Sequence, residues 1–79
     1  MPDIELRLVR CFTAVFPSLA PENIPACRQE STEGWDSVAT VTLFALIQEE
    51  FGIEIDSEEM QNLDSFTSIA EFLSGRRLV

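Results

Sequence analysis

The sequence contains no histidine, no lysine and no tyrosine. Without histidine or lysine, no side chain of the usual kind can activate a serine as a nucleophile. A catalytic serine is therefore not expected. The only cationic side chains are five arginines, against fourteen acids, for a net charge of −9. Phosphate contacts need a basic surface, so nucleic acid is excluded as a ligand. The two cysteines, Cys11 and Cys27, are too few for a disulfide framework, and neither has a partner at metal-ligand spacing. No apolar run approaches the roughly 20 residues of a membrane span, so membrane insertion is not expected. No basic segment followed by an apolar run opens the sequence, so no secretory signal is visible. Together these absences predict a cytoplasmic protein with reduced thiols.

What is present suits one small helical unit. The 79 residues predict a single domain, residues 1–79, and a monomer. Hydrophobic residues make up 46%, enough for a core, and six phenylalanines suit a simple apolar interior. A domain of this size buries only about 60–65% of the surface of its unfolded chain, so modest stability is expected. The acidic excess favours partners with basic docking patches, which it would attract and steer.

Residues 3–16 predict a first helix, capped by Asp3, with Ile4, Leu8, Cys11 or Phe12, and Val15 facing inward. Arg7 and Arg10 fall on its solvent face, near Glu5. Phe16 precedes Pro17, which disfavours further helix. Residues 17–33 contain Pro17, Pro21 and Pro25 and read as a long connection with room for a short helical turn. Leu19, Ile24 and Ala26 are expected to pack it onto the body. Later in the chain, Ile53 and Ile55 read as core plugs in a loop. Asp56 with Glu59 has the spacing of a capping box for a short third helix, with Met60 and Leu63 inward. Ser65 caps a last helix with a stripe of Phe66, Ile69, Phe72 and Leu73, ended by Gly75. Arg76 and Arg77 lie beyond its negative end. Asp56, Glu58 and Glu59 lack the sixth-position glycine of a calcium loop, so no metal site is expected.

The chain is organised around residues 34–51. Gly34 supplies a turn, and Asp36 is a good N-cap because its carboxylate can accept from the free amides of the next turn. That places Ser37 at the first helical position, its hydroxyl at the positive end of the helix dipole, where a phosphate is favoured. At roughly 100° per residue, Leu43, Phe44, Ile47 and Phe51 form a core stripe. Val38, Thr42, Ala45 and Glu49 fall on the opposite side, apolar first and acidic last, and read as a contact surface for a partner. Gly52 ends the helix in the manner of a left-handed cap. Glu49 and Glu50 stand near the negative helix end, an unfavourable place that suits a recognition role better than a stabilising one. Trp35 reads as exposed or half-buried beside the serine.

At these residues the sequence resembles the acyl carrier protein family. The family's mark, Asp-Ser-Leu at the start of the second of four helices, stands here as Asp36-Ser37-Val38. The segment Glu49-Glu50-Phe51-Gly52-Ile53-Glu54-Ile55 resembles the family's acidic helix end and Phe-Gly-Ile loop, and Phe66 to Leu73 resembles its last helix. The resemblance implies an all-α, four-helix acyl-carrier-protein-like bundle, with a long loop between helices one and two and a short third helix. It implies 4′-phosphopantetheine on Ser37, attached from coenzyme A by a phosphopantetheinyl transferase that recognises Asp36. It also implies an acyl cargo presented to acyl-loading and acyl-processing enzymes, and a cleft among Phe44, Ile47 and Ile55 for the acyl chain.

Several departures point to a specialised member. Ala39, Thr42 and Gln48 stand where the housekeeping fatty-acid carriers often hold acids. Val38 replaces the usual leucine, and Trp35 replaces a small residue. Peptidyl or aminoacyl carriers share the fold, but their serine usually follows Gly-Gly-Asp or Gly-Gly-His, which Gly34-Trp35-Asp36 matches less well. A reading from another class is a non-catalytic acidic helical adaptor whose serine stays bare.

Overall fold

Helix α1 (Pro2–Val15) is the element against which much of the rest packs. The computed structural model describes residues 2–76, with side chains from residue 4 onward. The helix starts one residue before the expected Asp3 cap, with proline at its first position, where the missing N–H costs nothing. The Asp3 side chain and Arg77 lie outside the described residues. Leu8, Cys11 and Phe12 are buried, and Ile4 and Val15 pack at the margin of the core, as the periodicity predicts. Phe16, just past the helix, is buried too.

Arg7 is not on the solvent face. Its Nε donates to Glu50 Oε2 at 2.7 Å, and a terminal nitrogen donates to the Glu50 carbonyl at 2.6 Å. Its guanidinium lies 4.5 Å from the centre of the Phe51 ring. One arginine thus neutralises the acid, caps an orphan carbonyl at the helix end and covers an aromatic face. The Glu50 charge is therefore compensated from another element, which sequence spacing does not reveal.

The connection from Val15 carries a 3₁₀ helix, Pro21–Ala26, more regular than a single turn. It begins on a proline, and Ile24 is its buried residue. Ala26 is exposed, contrary to expectation, and the buried position belongs to Cys27. Two backbone hydrogen bonds then join the connection to the start of the last helix: Gln29 N–H to the Asp64 carbonyl at 2.7 Å, and Phe66 N–H to the Cys27 carbonyl at 3.0 Å.

The remaining helices are α2 (Ser37–Phe51), α3 (Ser57–Gln61) and α4 (Phe66–Ser74). Among the described residues there are no strands, in keeping with the all-α expectation. Leu43, Phe44, Ile47 and Phe51 are fully buried. Gly52 closes α2 at φ 67°, ψ 34°, its N–H bonded to the Gln48 carbonyl, a conformation that favours glycine. Glu59 Oε1 accepts from the Asp56 N–H at 3.1 Å, one half of the expected capping box. Ser65 and Ser68 bond each other's backbone N–H reciprocally at the start of α4. Phe72 is only half-buried and lies under the Arg76 guanidinium, 4.4 Å from its ring centre. Arg76 also pairs with Glu59, tying α4 to α3.

Cys11 faces this interior, and burial pushes its thiol up from 9.0 to about 11, helped by the nearby Glu50 charge. Below pH 9 the thiol is neutral whether the chain is folded or not. As the pH rises from 9 towards 11, the unfolded thiol ionises while the folded one holds its proton, so folding loses stability. No lysine or tyrosine side chain titrates in that window. Cys11→Val is expected to flatten the decline in urea midpoint between pH 9 and 11, monitored by far-UV circular dichroism. A decline equal to the native one would place the effect elsewhere.

Candidate functional site

Ser37 is the first residue of α2, and it is exposed. Its position follows from local chemistry. Gly34 turns the chain at φ 87°. Asp36 then takes extended backbone angles, and its Oδ1 accepts from Ala39 N–H at 2.9 Å. This is the cap expected from sequence, worth about 1 kcal/mol. Among the described residues the Ser37 hydroxyl makes no hydrogen bond to another group. It stands free in solvent at the positive end of a 15-residue helix.

The structure also brings together the other residues expected on this face. Val38, Thr42, Ala45 and Glu49 are all exposed, on the side of α2 opposite the core stripe, and Asp36 is exposed at the cap before the helix. Val38 is 73% exposed, and Val41, which the sequence reading passed over, is 67% exposed. Val41 lies three residues from Val38, on the flank of the same face. The Thr42 hydroxyl is used internally, donating to the Val38 carbonyl at 3.1 Å. No charged residue occurs from Ser37 to Gln48. The exposed face is therefore uncharged for three turns beyond the serine, and its first acid is Glu49.

Trp35 corrects the sequence reading. It is buried, at 4% exposure. Its ring meets Phe12 edge-on at 5.4 Å between centres and lies 5.8 Å from Phe16. Its Nε1–H donates to Thr40 Oγ1 at 3.0 Å. Thr40 is a second residue that sequence reasoning missed, because the bond exists only once α1 has placed the indole. Gln48 is a third: its Oε1 accepts from Ile55 N–H at 2.7 Å, fixing the loop after α2. Phe44, Ile47 and Ile55, expected around an acyl cleft, are buried in the core. A surface concavity between α1 and α4 is lined by Ile4, Phe66 and Ala70, among others.

An exposed, unactivated hydroxyl at a capped helix start cannot do chemistry by itself, but another enzyme can modify it. Residues 31–73 match the model of the family described as the phosphopantetheine attachment site, and the chain belongs to that family. No curated protein matches the chain in sequence. Domains of this family carry 4′-phosphopantetheine and are not themselves enzymes. They work with a phosphopantetheinyl transferase and with biosynthetic enzymes. The geometry fits such a group. The phosphodiester would be a monoanion at the positive end of α2, and nothing among the described residues occludes Ser37. Among the described residues no three acids, cysteines or histidines converge on a metal position, and no helix is long and apolar enough to cross a membrane.

Proposed function

We propose that Ser37 carries 4′-phosphopantetheine and that the protein delivers an acyl group, held as a thioester, to partner enzymes of fatty-acid, polyketide or related biosynthesis. The observation that supports this is the free Ser37 hydroxyl at the capped start of α2, inside the matched segment. In the loading step, Ser37 Oγ forms a bond to the phosphorus bearing the pantetheine. The pyrophosphate bond of coenzyme A breaks, and adenosine 3′,5′-bisphosphate leaves. The serine proton passes to a base on the transferase. The bound group supplies a terminal thiol for the thioester. Asp36 fixes the helix start and offers the transferase a charge beside the hydroxyl. Val38 and Val41 offer apolar contact. Ala45 and Thr42 keep the surface flat, and Glu49 meets a basic patch.

Intact-protein mass after incubation with coenzyme A, magnesium and a broad-specificity transferase tests the reading. One phosphopantetheine per chain is the expected result. An unchanged mass would favour the bare adaptor. The docking face has its own test. Glu49→Arg is expected to slow transfer through association, and added salt to weaken the native reaction as well. Val38→Asp is expected to slow it more, because it puts a charge into the apolar part of the contact. Glu71→Arg, on α4 and outside this face, serves as the control. Equal losses for the Glu49 and Glu71 variants would mean that overall charge governs recognition.

A further inference from the structure

The loop before Ser37 is tied to the helix after it by a relay of side-chain hydrogen bonds. An indole N–H can only donate and a backbone carbonyl can only accept. Between them stands the Thr40 hydroxyl, which accepts from Trp35 Nε1 at 3.0 Å and donates to the Asp36 carbonyl at 2.9 Å. Its proton is thereby committed to one direction. The Asp36 carbonyl also receives the Thr40 backbone N–H at 2.9 Å, while the Asp36 carboxylate holds Ala39 N–H. Both flanks of Ser37 are therefore pinned, although its own hydroxyl is free. The far end of the relay is anchored in the core, because the Trp35 ring packs on Phe12 and Phe16 of the first helix and its connection.

We propose that Trp35 and Thr40 are positioning residues for Ser37: together they hold the start of α2 in the one arrangement that presents the hydroxyl to the transferase. The proposal rests on the reading of Ser37 as the attachment point. It assigns the departure at Trp35 a purpose, since a small side chain there could neither donate to Thr40 nor reach the first helix. Reactions of bound groups are sensitive to placement, and a shift of about 1 Å at the reacting atom can cost a hundredfold in rate. A tethered serine pays less for its ordering when it docks than one on a fraying helix end.

The test uses Trp35→Phe, which keeps an aromatic ring and removes the donor, and Thr40→Val, which keeps the shape and removes the hydroxyl. Both are assayed well below their melting temperatures. Each is expected to lower kcat/KM for phosphopantetheine transfer about fivefold, the factor that one net hydrogen bond is worth. The double variant should lose no more than either single one, because both cut the same relay. Thr40→Ser, which restores the hydroxyl, should recover the rate. Amide exchange gives an arm independent of transfer: the amides of residues 39 and 40, which Asp36 holds, should exchange faster in the two relay variants, with Ile47 in the core unchanged. Additive losses in the double variant, or native rate and native exchange in Thr40→Val, would overturn the proposal. If the native protein were not modified at Ser37, the carrier reading would fail, and faster exchange confined to residues 39–40 would still show the tether.

Discussion

Ser37→Ala is expected to abolish phosphopantetheine transfer and to leave the fold as stable as the native one. On the proposed reading the hydroxyl is the nucleophile, so its removal leaves no oxygen to bond to phosphorus. No neighbouring serine can substitute. Ser57 begins only a five-residue helix, and Ser65 has its side chain committed to Ser68 at the start of α4. Stability should survive because the Ser37 hydroxyl bonds to nothing among the described residues, and alanine is a better helix former than serine. Asp36 retains the cap in the variant. Intact mass after transfer, with a thermal melt of the unmodified chain, makes the measurement. Mass gained on the Ser37→Ala chain, or transfer to another serine in the native one, would remove Ser37 from the centre of the account.

The second large effect concerns the buried face of α2. Phe44→Ala and Ile47→Ala are each expected to destabilise the fold by about 2–5 kcal/mol, the range for emptying a close-packed site. Both side chains are fully buried. At about 0.05–0.15 kcal/mol per residue, a domain of this size has about 4–12 kcal/mol in all, so either loss is a large share of it. Ala45→Ser, one residue from Phe44 but exposed, should be nearly silent. Urea denaturation of the three variants decides the matter. If Ala45 proved the sensitive position, the two faces of the helix would have been assigned the wrong way round.

The parts of the molecule legible in the sequence are those fixed by neighbours in the chain. The Asp36 cap, the Gly52 stop, the core stripe of α2 and the Glu59 bond to Asp56 depend on residues three to four apart, and all stand as read. So do Ser37 at the helix start and the open face below it. What escaped depends on contacts across the fold. Arg7 sits at a solvent-face position by periodicity, yet it reaches 43 residues along the chain to Glu50. Trp35 beside an exposed serine gives no sign that Phe12 and Phe16 will enclose it. In the connection, Cys27 is buried where Ala26 was expected, because proline fixes the local angles but not which residue meets the body.

The two backbone hydrogen bonds between residues 27–29 and residues 64–66 bear on how this carrier could be transplanted. The segment that carries the family's signature begins at residue 31, after one side of that junction. A fragment cut at those borders would keep the serine and its helix. It would forfeit Leu8, Phe12, Phe16, Ile24 and Cys27 from the interior, leaving Trp35 and Phe66 facing water where Phe12 had covered them. A chimera meant to borrow this domain must therefore take the first helix along with the signature, or the grafted serine will arrive on a chain too loosely held to be read by its transferase.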